Sequence, residues 1–189
     1  MEINRIIEIL KSRLSDERFI HSMNVAKQAK MLGEIYGEDT EKLYLAGVVH
    51  DICKEISYDE QLNVIKSGGI EFDKYVMCQQ KIWHAFAGSV FIKKELGICD
   101  EQIIDAVRYH TTGKENMDTF SKIIYISDIT SEERDYPQVD LVRKLAQEDL
   151  DGAMLMSLEF TINKLMKHGK MLNEDTVLAY NQCVLKKAE

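Results

Sequence analysis

The chain has 189 residues, 24 of them Lys or Arg and 32 Asp or Glu, for a formal net charge of −8. That length fits one domain of ordinary size, and 45% hydrophobic with 30% charged residues excludes a disordered chain. A single proline and ten glycines disfavour a sandwich or barrel, and the acidity disfavours a protein that works by neutralising nucleic-acid phosphates.

Apolar spacing of the helical kind begins at once. Ile3, Ile6, Ile7, Leu10 and Leu14 mark one stripe. Asp16 is expected to cap a second helix, with its stripe through Phe19, Ile20, Met23, Val25, Ala26, Ala29 and Leu32. Gly33 and Gly37 lie near its end, and Thr40 opens a third helix through Leu43 to Val49. A shorter helix is predicted from about Asp59 to Lys66, stopped by Gly68-Gly69, and another from Trp83 to Leu96, closed by Gly97. Asp100 caps the next, which runs towards Gly113, and Phe120 to Ile129 is strongly apolar. After the loop Asp135-Tyr136-Pro137, two or three helices follow, from about Asp140 to Lys167 and from Glu174 on. The reading is one all-α domain over residues 1–189, a bundle of roughly nine or ten helices.

No run approaches the eighteen apolar residues of a spanning helix, and Met1-Glu2-Ile3-Asn4-Arg5 does not read as a secretory signal. Cys53, Cys78, Cys99 and Cys183 form no Cys-x-x-Cys pair and are expected to be buried or half-buried thiols of a reducing compartment. A cytoplasmic protein is expected, with no membrane and no nucleic acid as partner.

Five histidines stand at His21, His50, His84, His110 and His168. Alone, a histidine on a helix is more often a hydrogen-bonded core or surface residue than a ligand. Position changes that here. His50 and Asp51 interrupt Leu45-Ala46-Gly47-Val48-Val49 and Ile52-Cys53, and Asp128 lies inside Ile123-Ile124-Tyr125-Ile126-Ser127 and Ile129. A carboxylate buried in such a run is costly unless it is paired or holds a cation, and one shared cation accounts for both. Imidazole with carboxylate suits iron, manganese or zinc, and the scattered thiols argue against structural zinc. His21 and Asp128 would complete a shell begun by His50 and Asp51, while His84 and His110 are open between a second metal position and contact with phosphate. Arg18 three residues before His21, Lys54 four after His50 and Arg134 after Asp128 put cations beside these groups, which suits an anionic phosphate substrate. His168, in Lys167-His168-Gly169, reads as a helix C-terminal residue.

The ordered set His21, His50-Asp51, His84, His110 and Asp128 resembles the HD superfamily of metal-dependent phosphohydrolases. Arg18-Phe19-Ile20-His21-Ser22, His50 to Glu55, Trp83-His84-Ala85-Phe86-Ala87-Gly88, Arg108 to Gly113, Asp175-Thr176 and Tyr180-Asn181 are similar to one branch of it, the YqeK-type symmetrical bis(5′-nucleosyl)-tetraphosphatases. The resemblance implies an all-α metal core over about residues 18–134. It also implies hydrolysis of diadenosine tetraphosphate to two ADP, by attack of a metal-bound hydroxide on phosphorus. The implied cofactor is iron, with manganese or another divalent transition metal as alternative, as one ion or two. His21, His50, Asp51 and Asp128 would hold the metal. Arg18, Lys54, His84, His110, Thr111 and Arg134 would face the phosphates, with Asp51, His84 and His110 as the catalytic set. Lys170 to Asp175 would lie near the nucleoside, through Lys170, Asn173 and Asp175. The partner is thus a dinucleoside polyphosphate or ADP-like nucleotide, and a homodimer is left open. The alternatives are another HD nucleotide phosphohydrolase of deoxynucleotidase type and a non-hydrolysing nucleotide sensor.

Overall fold

The computed structural model describes residues 2–188. Among them eleven α-helices and one 3-10 turn, Gln80–Ile82, make the fold, with no strand. In order the helices are α1 (Ile3–Arg13), α2 (Asp16–Tyr36), α3 (Thr40–Val49), α4 (Tyr58–Ser67), α5 (Lys74–Met77) and α6 (Trp83–Lys94). They continue with α7 (Glu101–Tyr109), α8 (Thr119–Thr130), α9 (Val139–Glu148), α10 (Leu150–Lys167) and α11 (Glu174–Ala188). The all-helical expectation holds. One element without a counterpart in the apolar pattern is α5, a single turn too short to show a period.

At the centre α3, α7 and α8 pack on one another. α2 lies over α3 and α8, α6 over α4 and α7, and α10 joins α8, α9 and α11. Phe120, Ile123, Ile124, Tyr125 and Ile126 of α8 are all buried, as a helix covered on most sides requires. Short side chains with free oxygens start the helices: Ser15, Asp39, Ser57, Asp100, Asp118 and Asp149 each accept from backbone N–H groups in the first turn.

Four expectations need correction. Ser15, not Asp16, caps α2, its hydroxyl accepting from the Arg18 amide, and Asp16 is the first helical residue, where its charge faces the positive helix end. Ile20 is 55% exposed, because the buried face of α2 turns through His21, Ser22, Val25, Ala26, Ala29 and Leu32. Cys78 and Cys99 are exposed. Lys54 lies in a turn and not on α3, which ends at Val49, so a shared helix face cannot be what brings it to His50.

The α2–α3 crossing has no space between backbones. A Cβ on Gly47 would sit 2.5 Å from the Ala26 Cα and 2.8 Å from its amide nitrogen. Gly47→Ala is therefore expected to cost at least about 1–3 kcal/mol, since backbone and not a side-chain tip must yield. Denaturant unfolding checks this. A parent-like midpoint would contradict the close approach.

Candidate metal centre and its cavity

Two helix ends supply matching histidines. His50 directly follows α3 and His110 directly follows α7, and each donates from Nδ1 to a carbonyl three residues back, Gly47 and Val107, both at 2.7 Å. That bond fixes the tautomer, so each Nε2 presents a lone pair to the interior. His84 on α6 joins them, its ring centroid 5.2 Å from that of His110, while His50 lies 4.9 Å from His110 and 5.2 Å from His21. All four imidazoles are buried. Burial pushes His50 down to about 3 and His84 to about 4, which keeps them in the neutral, metal-binding form at pH 7.

Asp51, 1% exposed, stands among them. Its Oδ2 lies 3.0 Å from Arg18 Nη1, 3.6 Å from His50 Nε2 and 3.8 Å from His21 Nε2. Its Oδ1 lies 3.2 Å from His84 Nε2, 3.4 Å from His110 Nε2 and 3.7 Å from Lys54 Nζ. Burial raises the Asp51 carboxyl, but His50, His110, His84 and Lys54 outweigh it and hold the group well below the usual carboxylate range. Among the described residues, neither Asp51 Oδ1 nor His50 Nε2 has a hydrogen-bond partner, although both are fully enclosed. Two enclosed lone pairs left without a donor in one centre are costly unless a cation takes them up. The donor set, imidazole and carboxylate with no thiol, fits a divalent transition metal. Three sets have ligand atoms within 4.8 Å of one another: His21, His50 and Asp51; His50, His110 and Asp128; Asp51, His84 and His110.

Asp128, near the end of α8, accepts from His21 Nε2 at 3.1 Å and from Arg134, and it stays ionised because these partners outweigh its burial. Arg134 also donates from Nε to the Asp128 carbonyl at 2.8 Å. The Glu133 carboxylate accepts a hydrogen bond from His21 Nδ1 and is itself held by Asn24 Nδ2 at 2.8 Å and Ser131 Oγ at 2.7 Å. Burial lowers His21, but Asp128 and Glu133 win and raise it; Glu133 falls to about 2. Arg143 of α9 ties the loop that carries these groups, donating to the carbonyls of Thr130, Ser131 and Arg134 at 2.8–2.9 Å.

Beside the His21 and Arg18 side lies a cavity of about 650 Å³, which Arg134 also lines.

A family model described as the HD domain matches residues 18–133. A symmetrical bis(5′-nucleosyl)-tetraphosphatase of Halalkalibacterium halodurans is 34% identical over 98% of both chains, and one of Bacillus subtilis is 34% identical over 97% of this chain and 98% of its own. The chain belongs to the HD family, in its bis(5′-nucleosyl)-tetraphosphatase branch. A crystal structure of a chain from Clostridium acetobutylicum, described as a predicted HD superfamily hydrolase involved in NAD metabolism, superposes with a TM-score of 0.96 at 35% identity over 98% of both chains.

The HD fold gathers His21, His50, Asp51, His84, His110 and Asp128 into one centre, with Arg18, Lys54 and Arg134 on it. Lys54 earns its place through the turn after α3, which lays its Nζ 2.9 Å from His84 Nε2. The remaining expected residues stand apart. Thr111 Oγ1 is enclosed and has no partner among the described residues. Asp175 faces Arg108 at 3.7 Å, and Arg108 lies on the Phe86 ring, 3.1 Å from its centroid. Asn173 accepts from the Asp175 amide at 3.0 Å and donates to Gln79. Lys170 is exposed, and no hydrogen bond or ion pair joins its side chain to the centre among the described residues. His168 ends α10 as expected, its Nδ1 donating to the Lys164 carbonyl at 2.7 Å.

Glu133 is the residue that sequence reading passes over, since nothing in Ser131-Glu132-Glu133-Arg134 separates it from a solvated acid. Glu133→Gln removes the charge that orients and strengthens His21. Metal affinity is expected to fall about 10–100-fold with the helical content unchanged. Metal titration of the variant reads this, and an unchanged affinity would show that His21 does not depend on the carboxylate.

Proposed function

We propose that the chain hydrolyses diadenosine tetraphosphate symmetrically, to two ADP, at a transition-metal centre. Its curated relatives carry that activity in their names, and one observation within the chain carries the reading furthest: an ionised, enclosed Asp51 ringed by four imidazoles, two of them locked with Nε2 inward. We assign iron as the metal, as one ion or two, with His21, His50, Asp51 and Asp128 as residues that would hold it. When bound, the ion supplies Lewis acidity and an activated water nucleophile.

The chain supplies the rest. Arg18, Lys54 and Arg134 bear three positive charges around the Asp51 and Asp128 carboxylates, and a bound cation would add to that positive balance, which suits a polyphosphate. Lys54 Nζ lies 2.9 Å from His84 Nε2 and 3.7 Å from Asp51 Oδ1, which supports phosphate contact at His84 and His110, while the same pair with Asp51 would suit a second cation. Symmetrical cleavage requires the phosphorus second from one nucleoside to lie at the centre. There a water oxygen bonds to that phosphorus and its proton passes to solvent, the bond from the same phosphorus to the oxygen it shares with the third breaks, and the other half leaves as an ADP oxyanion beside the arginines. A soluble nucleotide substrate and four thiols outside any disulfide suit a cytoplasmic protein.

Product analysis after incubating iron- or manganese-loaded protein with diadenosine tetraphosphate tests the reading. ADP as sole product supports it. ATP with AMP would move the attacked phosphorus by one position. Binding of ADP without turnover would make the chain a sensor, and release of nucleoside from a deoxynucleotide would make it a nucleotidase. Metal content per chain decides between one ion and two.

A further inference from the structure

Asp51 divides the centre into two sides. Oδ1 faces His84, His110 and Lys54; Arg108, two residues before His110, lies on Phe86, two after His84, and reaches Asp175. That is the side on which the chain's 170–175 segment approaches. Oδ2 faces Arg18 and His21, and this side opens into the cavity of about 650 Å³. A volume of that order lies within the range of small-molecule sites.

The wall of that cavity is built in an unusual way for a helical protein. On α10, Met156, Phe160 and Lys164 recur every four residues, a stripe that periodicity alone would send into the core. Here the stripe lines the cavity instead. Phe160 and Met156 remain half-buried and Lys164 exposed. The Tyr136 ring leans on Phe160, centroids 5.0 Å apart and planes 32° from parallel, so two aromatic faces stand together on a wall next to the arginines. Gln138, a non-glycine at φ 76°, holds the turn that places Tyr136 there; such backbone is costly and is kept only where surroundings enforce it. Lys81 and Lys164 add positive charge to a lining whose acids are Glu17, Asp135 and the already engaged Glu133.

From this arrangement we propose that the cavity is the subsite for the second nucleoside of the substrate, its base stacked on Phe160 and Tyr136 and its phosphates passing Arg18 and Arg134 to the centre. The proposal rests on the hydrolysis reading above and adds what that reading leaves out, a place for the other half of a symmetrical molecule. Stacking serves any base and the arginines serve any phosphate, so a π face along the polyphosphate path gives a molecule with a base at each end one more contact than a molecule with a single base.

Two measurements on the metal-loaded protein test it. Photolabelling with diadenosine tetraphosphate carrying an azide on both bases is expected to mark two regions, one containing Tyr136 or Phe160 and one elsewhere, both protected by the unlabelled dinucleotide. Marking confined to regions other than the cavity would overturn the subsite. Phe160→Ala is expected to raise KM for diadenosine tetraphosphate about tenfold at unchanged metal content, the size expected for loss of one stacked base. A cavity that is labelled while Phe160→Ala and Tyr136→Leu both keep the parent KM would overturn stacking as its basis. Failure of the parent to cleave the dinucleotide would instead sink the hydrolase reading, and the labelling pattern would still report where the bases bind.

Discussion

Asp51→Asn protein is expected to fold into the parent's helical structure, to bind metal more than about a hundredfold more weakly, and to show no symmetrical hydrolysis above background. The size follows from position: removal of a group that only orients a ligand costs 10–100-fold, and Asp51 is itself the group on which both sets of imidazoles converge. Folding should survive. Neutralising Asp51 forfeits the attraction of the neighbours that hold it ionised but also lifts the desolvation cost of a charge at 1% exposure, so the two changes offset in part. The positive neighbours, Arg18 and Lys54, keep side chains 27% and 31% exposed and can turn to water. Metal content after dialysis, circular dichroism and ADP release together check this. A folded variant that retained metal and turnover would show that the centre closes without Asp51.

What the sequence discloses about this centre is governed by cost and by distance along the chain. His50-Asp51 and Asp128 stand out because each breaks an apolar run, where an ionised group demands an explanation. Their convergence agrees with that demand, and so does the all-helical fold, since 3.6-residue spacing is local and survives tertiary packing. Lys54 was reached by a helical spacing that does not exist; a turn does the same work because its amide bonds back to the Asp51 carbonyl at 2.8 Å. Glu133 had no such sign. It lies 112 residues from His21, and its meaning comes from Arg143 fixing a loop whose path no propensity records. The Met156-Phe160-Lys164 stripe of α10 is helical and partly apolar yet turned towards a cavity. Periodicity reports that a helix has a preferred face and is silent on whether protein or ligand covers it.

Acid should strip stability from the metal-free protein well before its carboxylates titrate. His50 and His84 are pushed down by burial to about 3 and about 4, while the unfolded chain takes up each proton near pH 6.5. Between pH 6.5 and about 4 the unfolded state therefore binds two protons that the native state refuses, and each lowers stability by about 1.4 kcal/mol per pH unit once the unfolded group is fully protonated. His21 has the opposite shift: raised by Asp128 and Glu133 against its burial, it stabilises fully below pH 6.5 and loses that contribution only as pH rises through its folded value. It gives no slope in the acid window. Asp51, Asp128 and Glu133 are all depressed, so their contributions begin to fail only near pH 4, at the lower edge. Denaturant midpoints at pH 7, 6 and 5 in a chelator are expected to fall steeply over the last unit, and a flat profile would mean that a buried imidazole accepts its proton in place. Metal reverses the order of importance. His50 and His84 already offer bare nitrogens above pH 4, whereas His21 must release a proton from Nε2 before that nitrogen can serve a cation. Loading near neutral pH should accordingly free up to one proton, read as a dependence of the binding enthalpy on the buffer's ionisation heat, and Glu133→Gln, by lowering the hold on that proton, should reduce it.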